Sequence, residues 1–223
     1  MRERIAQACA VARRPADSVR LLAVCKTFSA DRVREAVIAG QRDFGENYVQ
    51  EGVEKIDATR DLSLIWHFIG PIQGNKTRLI AERFDWVHSV DREKIARRLS
   101  EQRPAGRAPL ETCIQVNVSG EASKSGVAPG EMLALARSIG NLPGLRLRGL
   151  MAIPEATDDL ALRRHRFAVL RELRRELQEA LAQQGVVLDT LSMGMSADLE
   201  AAIAEGATMV RVGTAIFGER TKA

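Results

Sequence analysis

The chain has 223 residues, 45% hydrophobic and 28% charged, which is enough apolar material for one sizeable core. Lys and Arg outnumber Asp and Glu by 33 to 29, but the basic residues are dispersed and aromatics are only 4%, so the stripe and stacking platforms of a nucleic-acid binder are missing. No run of about 18 apolar residues offers a membrane span, and the N-terminus mixes charges into a helical pattern rather than a signal core, so the expected location is cytoplasmic.

The pattern opens with a helix over about residues 2–13, then a buried strand, LLAVC at 21–25. The helical SADRVREAVIAG follows, with Ser29 placed as an N-cap and Gly40 as a C-cap. The alternation repeats as RDFGE and the NYVQEGVEKI helix, LIWHFIG and a helix from about Gln73, then DWVHSV and DREKIARRLSEQ. ETCIQVNV begins the fifth unit, LRLRGLMAI the sixth, LDTLSMG the seventh and MVRVG the eighth, the last with only a short helix after it. In the long helix before the seventh strand, Leu170, Leu173, Leu177 and Leu181 make one apolar stripe. Eight near-continuous apolar strands alternating with helices, without a linker, predict an α/β fold: a single-domain (β/α)8 TIM barrel over residues 1–223 with an extra N-terminal helix. An open doubly wound sheet is the alternative. Cys9, Cys25 and Cys113 are far apart and form no CxxC pair, so they read as buried small hydrophobes in a reducing compartment, with no metal site.

A barrel does its work at the C-terminal ends of its strands. Lys26 ends the first, where burial would desolvate an ammonium; it is either a Schiff-base nucleophile or a lysine snorkelling from a strand end. The turn 192–196 and the turn 211–214 each run from a strand through glycine into a helix and present backbone N–H groups and hydroxyls. Either turn alone is explained by helix capping, while the two together match the phosphate site that barrels place after strands 7 and 8. A lysine beside a phosphate cup matches a phosphorylated aldehyde, of which pyridoxal 5′-phosphate (PLP) is the commonest. Arg211, at the end of strand 8, can then reach the pyridine nitrogen and disfavour its protonation.

The segments LLAVCKTFSADRVREAVIAG, FGENYVQE, WHFIGPIQGNKTR, VHSVDREKIA, VNVSGEASKSGV, GLMAIPE and LSMGMSADLEAAIAEGATMVRVGTAIFGER span almost the whole chain. They resemble the PLP homeostasis family, the YggS/PROSC-type PLP-binding proteins, whose fold is similar to the barrel domain of alanine racemase. The resemblance implies that PLP is held as a Schiff base on Lys26, that Ser196, Gly213 and Thr214 hold its phosphate with help from the Met195 amide, and that Arg211 faces the ring nitrogen. By motif position Asn47, His67 and Met151 fall at the barrel mouth, either lining the pocket or only packing and capping. Lys124, in the polar loop 117–126, is either part of a lid or a second PLP contact. The implied role is in vitamin B6 balance, without demonstrated catalysis and with apo PLP-dependent enzymes as possible recipients. A racemase draws a second acid/base, a tyrosine, from an added domain and a partner subunit, whereas here the sole tyrosine is Tyr48 and the chain ends at Ala223, so a monomer is expected. The rival readings are a weak PLP-dependent racemase or lyase, and a cofactor-free Schiff-base aldolase on a sugar phosphate.

Overall fold

The computed structural model describes residues 1–121 and 124–218. Short aliphatic runs form the strands β1 (Arg20–Val24), β2 (Asp43–Glu46), β3 (Ile65–Phe68), β4 (Trp86–Val90), β5 (Leu110–Gln115), β6 (Leu145–Met151), β7 (Thr190–Ser192) and β8 (Met209–Val212). The charged, periodic segments form α1 (Arg2–Val11), α2 (Ala30–Ile38), α3 (Val49–Ala58), α4 (Thr77–Arg83), α5 (Glu93–Glu101), α6 (Met132–Gly140), α7 (Leu160–Ala180), α8 (Leu199–Ala204) and α9 (Thr214–Phe217). The strands pair in chain order, all parallel, and β8 returns to β1 through the register Arg20↔Met209 to Ala23↔Val212. The sheet is therefore a closed (β/α)8 barrel with α1 as the additional N-terminal helix, and the open sheet is excluded.

Strand alternation divides the apolar residues into two environments. Ala23, Phe44, Phe68, Ile114 and Val210 point outward and join Val33, Ile80, Leu99, Phe167 and Leu170 of the helices in one continuous core. Each fully buried Val, Leu, Ile or Phe among them contributes about 1.5–3 kcal/mol relative to exposure. Inside the barrel the apolar filling is smaller and split, with Leu22, Val24, Ile69 and Met209 in one cluster and Trp86, Cys113 and Met151 in another. Towards the N-terminal ends of the strands the interior is closed by ion pairs, Arg20 with Asp43 and Arg148 with both Glu111 and Asp189. The guanidinium groups of Arg20 and Arg148 also lie over Trp86, 5.8 and 5.2 Å from its ring centre.

Local signals behave in instructive ways. Ser29 occupies the N-cap position of α2 without a side-chain cap bond. Gly40, at φ +85°, follows the C-cap, and the N–H groups of Gly40 and Gln41 return to Val37 O and Ala36 O, the Schellman closure of a helix end. On α7, Leu170 and Leu177 are buried and Leu173 is only partly so, and Leu181, the C-cap, is buried as well. β5 stops three residues short of the expected Val118, because Val116 pairs with Val127 and folds the following loop back along the strand. A register slip between Thr112↔Leu147 and Cys113↔Gly149 puts one extra residue in β6. Gly149 absorbs it at φ +157°, where a Cβ would stand 1.8 Å from Thr190 O.

Candidate functional site

At the C-terminal mouth of the barrel lies a cavity of about 290 Å³, lined by Lys26, Asn47, Met195, Ser196, Arg211, Gly213 and Thr214 among apolar groups that include Phe28 and Ile153. Seven of the nine residues expected at the site thus come together on one cavity, contributed by the ends of β1, β2, β7 and β8. Its volume falls just below the range usual for small-molecule sites, about 300–1,000 Å³.

Lys26 leaves β1 through a strained turn. Thr27, the next residue, has φ +68°, a left-handed conformation that a β-branched residue rarely adopts. Its N–H donates to Glu51 Oε2 of α3 at 2.9 Å. On the other side of Lys26, the Cys25 carbonyl accepts from Lys55 Nζ at 2.8 Å. The Lys55 ammonium also pairs with the fully buried Glu46 and, at 3.4 Å, with Glu51. Burial is the largest influence on Lys55 and lowers its pKa, but Cys25, Glu46 and Glu51 together outweigh it, and the group is held above the ordinary lysine value. Glu46 Oε2 in turn accepts the N–H of Asn47 at 3.1 Å. One buried ammonium and two carboxylates therefore tie together the two strand ends that carry Lys26 and Asn47. The neighbouring Cys25 thiol is pushed well up by burial, which keeps it from competing as a nucleophile.

Asn47 approaches the wall closely because residue 70 is glycine: a Cβ there would lie 2.2 Å from Asn47 O. Its Oδ1 is buried and has no hydrogen-bond partner among the described residues. An orphaned acceptor of this kind costs about 1–3 kcal/mol, which a donating ligand would recover.

On the opposite rim, β7 and β8 each end in a glycine-containing turn. Ser196 lies between β7 and α8, and Gly213 and Thr214 open α9, so hydroxyls and first-turn N–H groups face one small region. The Met195 amide behaves differently from expectation: it donates to Asp198 Oδ1 at 2.5 Å, because Asp198 reaches back along the turn rather than capping α8. Met195 contributes its half-exposed side chain to the wall instead. The two rims are joined by Phe28, stacked on Phe217 with ring centres 5.1 Å apart, and by Arg32, which donates to Phe217 O at 3.2 Å.

Arg211 is buried and makes no ion pair among the described residues. Its Nη1 donates to Ser192 O at 2.6 Å and to Ser192 Oγ at 3.0 Å, and its Nη2 donates to Ala152 O at 2.9 Å. The remaining N–H groups are available to an acceptor in the cavity that the residue lines. Burial brings its pKa down to about 10, so the guanidinium stays charged at neutral pH.

Two expected residues are not on the cavity wall. His67 lies within β3 rather than at its end, points into the barrel and is fully buried; Met151 is fully buried against Trp86 and Cys113. Both sit one layer too deep, and the residues two positions further on, Ile69 and Ile153, line the cavity in their place. The same two-residue step along β1 and the turn after it gives Val24, Lys26 and Phe28, a signal the sequence carried and a reading of strand ends alone passes over. Lys124 is not among the lining residues, and its loop is held by Asn117, which donates to Glu121 O and accepts from Gly120 N–H. Positions 122 and 123 of that loop lie outside the described residues.

Comparison with known proteins places the chain's family and fold. The family model for the alanine racemase N-terminal domain matches residues 1–221. The pyridoxal phosphate homeostasis protein of Pseudomonas aeruginosa is 63% identical over 97% of this chain and 91% of its own length. The structure of PipY from Synechococcus elongatus with PLP bound superposes at TM-score 0.84 with 42% identity, covering 96% of this chain and all of that one. Alanine racemase from Corynebacterium glutamicum shares the fold at TM-score 0.66 with 16% identity, over 62% of its chain.

Proposed function

Because the chain belongs to the pyridoxal phosphate homeostasis protein family, built on the alanine racemase N-terminal barrel, we propose that it binds PLP at the barrel mouth and holds it for release. The observation that carries this reading is the convergence, in one cavity, of an amine, a pair of turns suited to a phosphate, a buried guanidinium and an orphaned amide oxygen. Lys26 Nζ is the amine for the cofactor's aldehyde carbon. Ser196, Gly213 and Thr214 hold the phosphate, Arg211 donates to the ring nitrogen, and Asn47 Oδ1 accepts from the ring hydroxyl. When bound, the cofactor supplies an electrophilic carbonyl and an electron-withdrawing ring.

The protein's own groups favour holding over turnover. A charged guanidinium at the ring nitrogen opposes its protonation, which weakens the ring as an electron sink. Among the described lining residues only Lys26 and Arg211 ionise, so Lys26 is left as the one acid/base for a proton on substrate carbon, where racemisation needs a group on each face. Recipient apo PLP-dependent enzymes, a cytoplasmic location and a monomeric state complete the proposal. Three buried free thiols, Cys9, Cys25 and Cys113, suit a reducing compartment, and no helix among the described residues is long and apolar enough to cross a membrane.

Titration with PLP and with pyridoxal, which lacks the phosphate, tests the assignment. PLP binds the wild type much more tightly than pyridoxal does, and Ser196→Ala with Thr214→Ala removes most of that preference. Equal affinity for the two in the wild type overturns the phosphate assignment.

A further inference from the structure

The displaced His67 belongs to a chain of hydrogen bonds that runs through the barrel interior to Arg211. His67 Nε2 lies 3.1 Å from Asp43 Oδ1, and His67 Nδ1 lies 2.9 Å from His88 Nε2. His88 Nδ1 is 2.8 Å from Ser192 Oγ, and Ser192 Oγ accepts from Arg211 Nη1 at 3.0 Å. Four strands beyond β8 are crossed, since Asp43, His67, His88 and Ser192 lie on β2, β3, β4 and β7. Both imidazoles and the Ser192 side chain are fully buried, so no solvent competes for these bonds.

The proton positions in this chain follow from its two ends. Arg211 can only donate, so Ser192 Oγ accepts from it and turns its own proton to His88 Nδ1. His88 then carries its proton on Nε2 and gives it to His67 Nδ1, which leaves the His67 proton on Nε2, facing the carboxylate. Starting from the other end, the Asp43 carboxylate demands a donor from His67 Nε2 and dictates the same order. Each imidazole holds one proton and is neutral, and burial lowers the pKa of both, that of His88 strongly. Trp86 fixes the ring of His67 by stacking on it, with centres 5.4 Å apart and planes 17° from parallel.

We infer that Asp43, His67, His88 and Ser192 form a one-directional relay whose purpose is to position the Arg211 guanidinium against the ring nitrogen of the cofactor. The four are positioning residues, none of them among those lining the cavity. Ser192 is the coupling point, because its hydroxyl and its carbonyl both receive from Arg211 Nη1 and so set the guanidinium plane. Reversing the order would face an imidazole lone pair with a carboxylate and leave the Ser192 proton without His88 as acceptor. The inference rests on the proposed binding of PLP with Arg211 at the ring nitrogen.

The test uses the whole protein loaded with PLP carrying 15N in the ring, comparing wild type, Ser192→Ala, Asp43→Asn and Ser192→Thr. Ser192→Ala is expected to move the ring 15N resonance and the visible absorbance maximum of the bound cofactor, and to weaken binding about tenfold, the effect of losing one hydrogen bond from a charged group. Asp43→Asn, at the far end of the chain, moves the resonance in the same direction. Ser192→Thr, which keeps the hydroxyl, returns both readouts to the wild-type values. Thermal unfolding of each variant separates these shifts from loss of fold. A wild type that takes up no PLP overturns the reading on which the inference rests. A loaded wild type whose ring resonance and absorbance are unchanged by both Ser192→Ala and Asp43→Asn overturns the relay, as does a Ser192→Thr variant that behaves like Ser192→Ala.

Discussion

The strained turn after Lys26 makes a quantitative demand on Glu51. A β-branched residue in the left-handed region costs about 1–3 kcal/mol, and Thr27 sits there at φ +68°. The bond from the Thr27 N–H to the Glu51 carboxylate, 2.9 Å long, opposes that strain with a value of about 1.5–3 kcal/mol for a hydrogen bond to a charged group. The Glu51 side chain is 37% exposed, so the low end applies. In Glu51→Ala the turn is then free to relax, and the fraction of molecules with Lys26 aimed into the cavity falls about tenfold, raising the apparent Kd for PLP by the same factor. Glycine adopts positive φ freely. In the Thr27→Gly background, therefore, Glu51→Ala should change the Kd less than about threefold, because the strain that Glu51 opposes is gone. Equilibrium titration of the four proteins by cofactor absorbance measures this cycle. An unchanged Kd in Glu51→Ala, or a loss equally large with Thr27→Gly present, rules out strain relief at Thr27 as the role of Glu51.

Other consequences concern stability, acid sensitivity and turnover. Met151→Ala opens a cavity against Trp86 and Cys113 and should destabilise the fold by about 2–5 kcal/mol in denaturant titration, with PLP stoichiometry unchanged, since the side chain packs beneath the cavity. Both interior histidines have folded pKa values below the ordinary 6.5; the unfolded chain therefore binds the extra protons, so stability is fully present above about pH 6.5 and Tm drops as the pH falls through the lowered folded values. Replacing His88 with Gln should flatten that acid slope, measured as Tm against pH. Incubation of the loaded protein with alanine in deuterated water should give no deuterium at the α carbon, as read by proton NMR; steady exchange would restore the enzyme reading.

How far the sequence led depends on the distance between the residues that make each feature. The place of Lys26, Ser196, Gly213 and Thr214 on the mouth cavity is legible because each sits where an apolar run meets polar residues, and a closed barrel brings all such junctions to one end. His67 and Met151 lie one layer below the cavity because periodicity marks a strand but not the depth at which it leaves the barrel, and in β6 the extra residue at the bulge shifts which side chains face inward. The apolar character of Val118 suggests β5, yet that character serves the folded-back loop, joined to the strand at Val116 and Val127. The relay was beyond sequence reading, since His88 and Ser192 are 104 positions apart and nothing local distinguishes a hydrogen-bonded histidine from a packed one. Glu46 and Lys55 are only nine positions apart, but Glu46 ends β2 and Lys55 sits on α3, and a lysine on a helix that follows a strand reads first as part of a solvated face.

The absorbance spectrum of the purified protein with PLP, taken for the wild type and for Lys26→Ala, before and after borohydride, tests whether Lys26 holds the cofactor. The wild type should show a visible band that borohydride abolishes, with the reduced adduct mapped by mass spectrometry to Lys26, and Lys26→Ala should show neither band nor adduct. A wild type that remains colourless with added PLP, or an adduct that forms equally well on Lys26→Ala, would show that Lys26 does not hold PLP as a Schiff base.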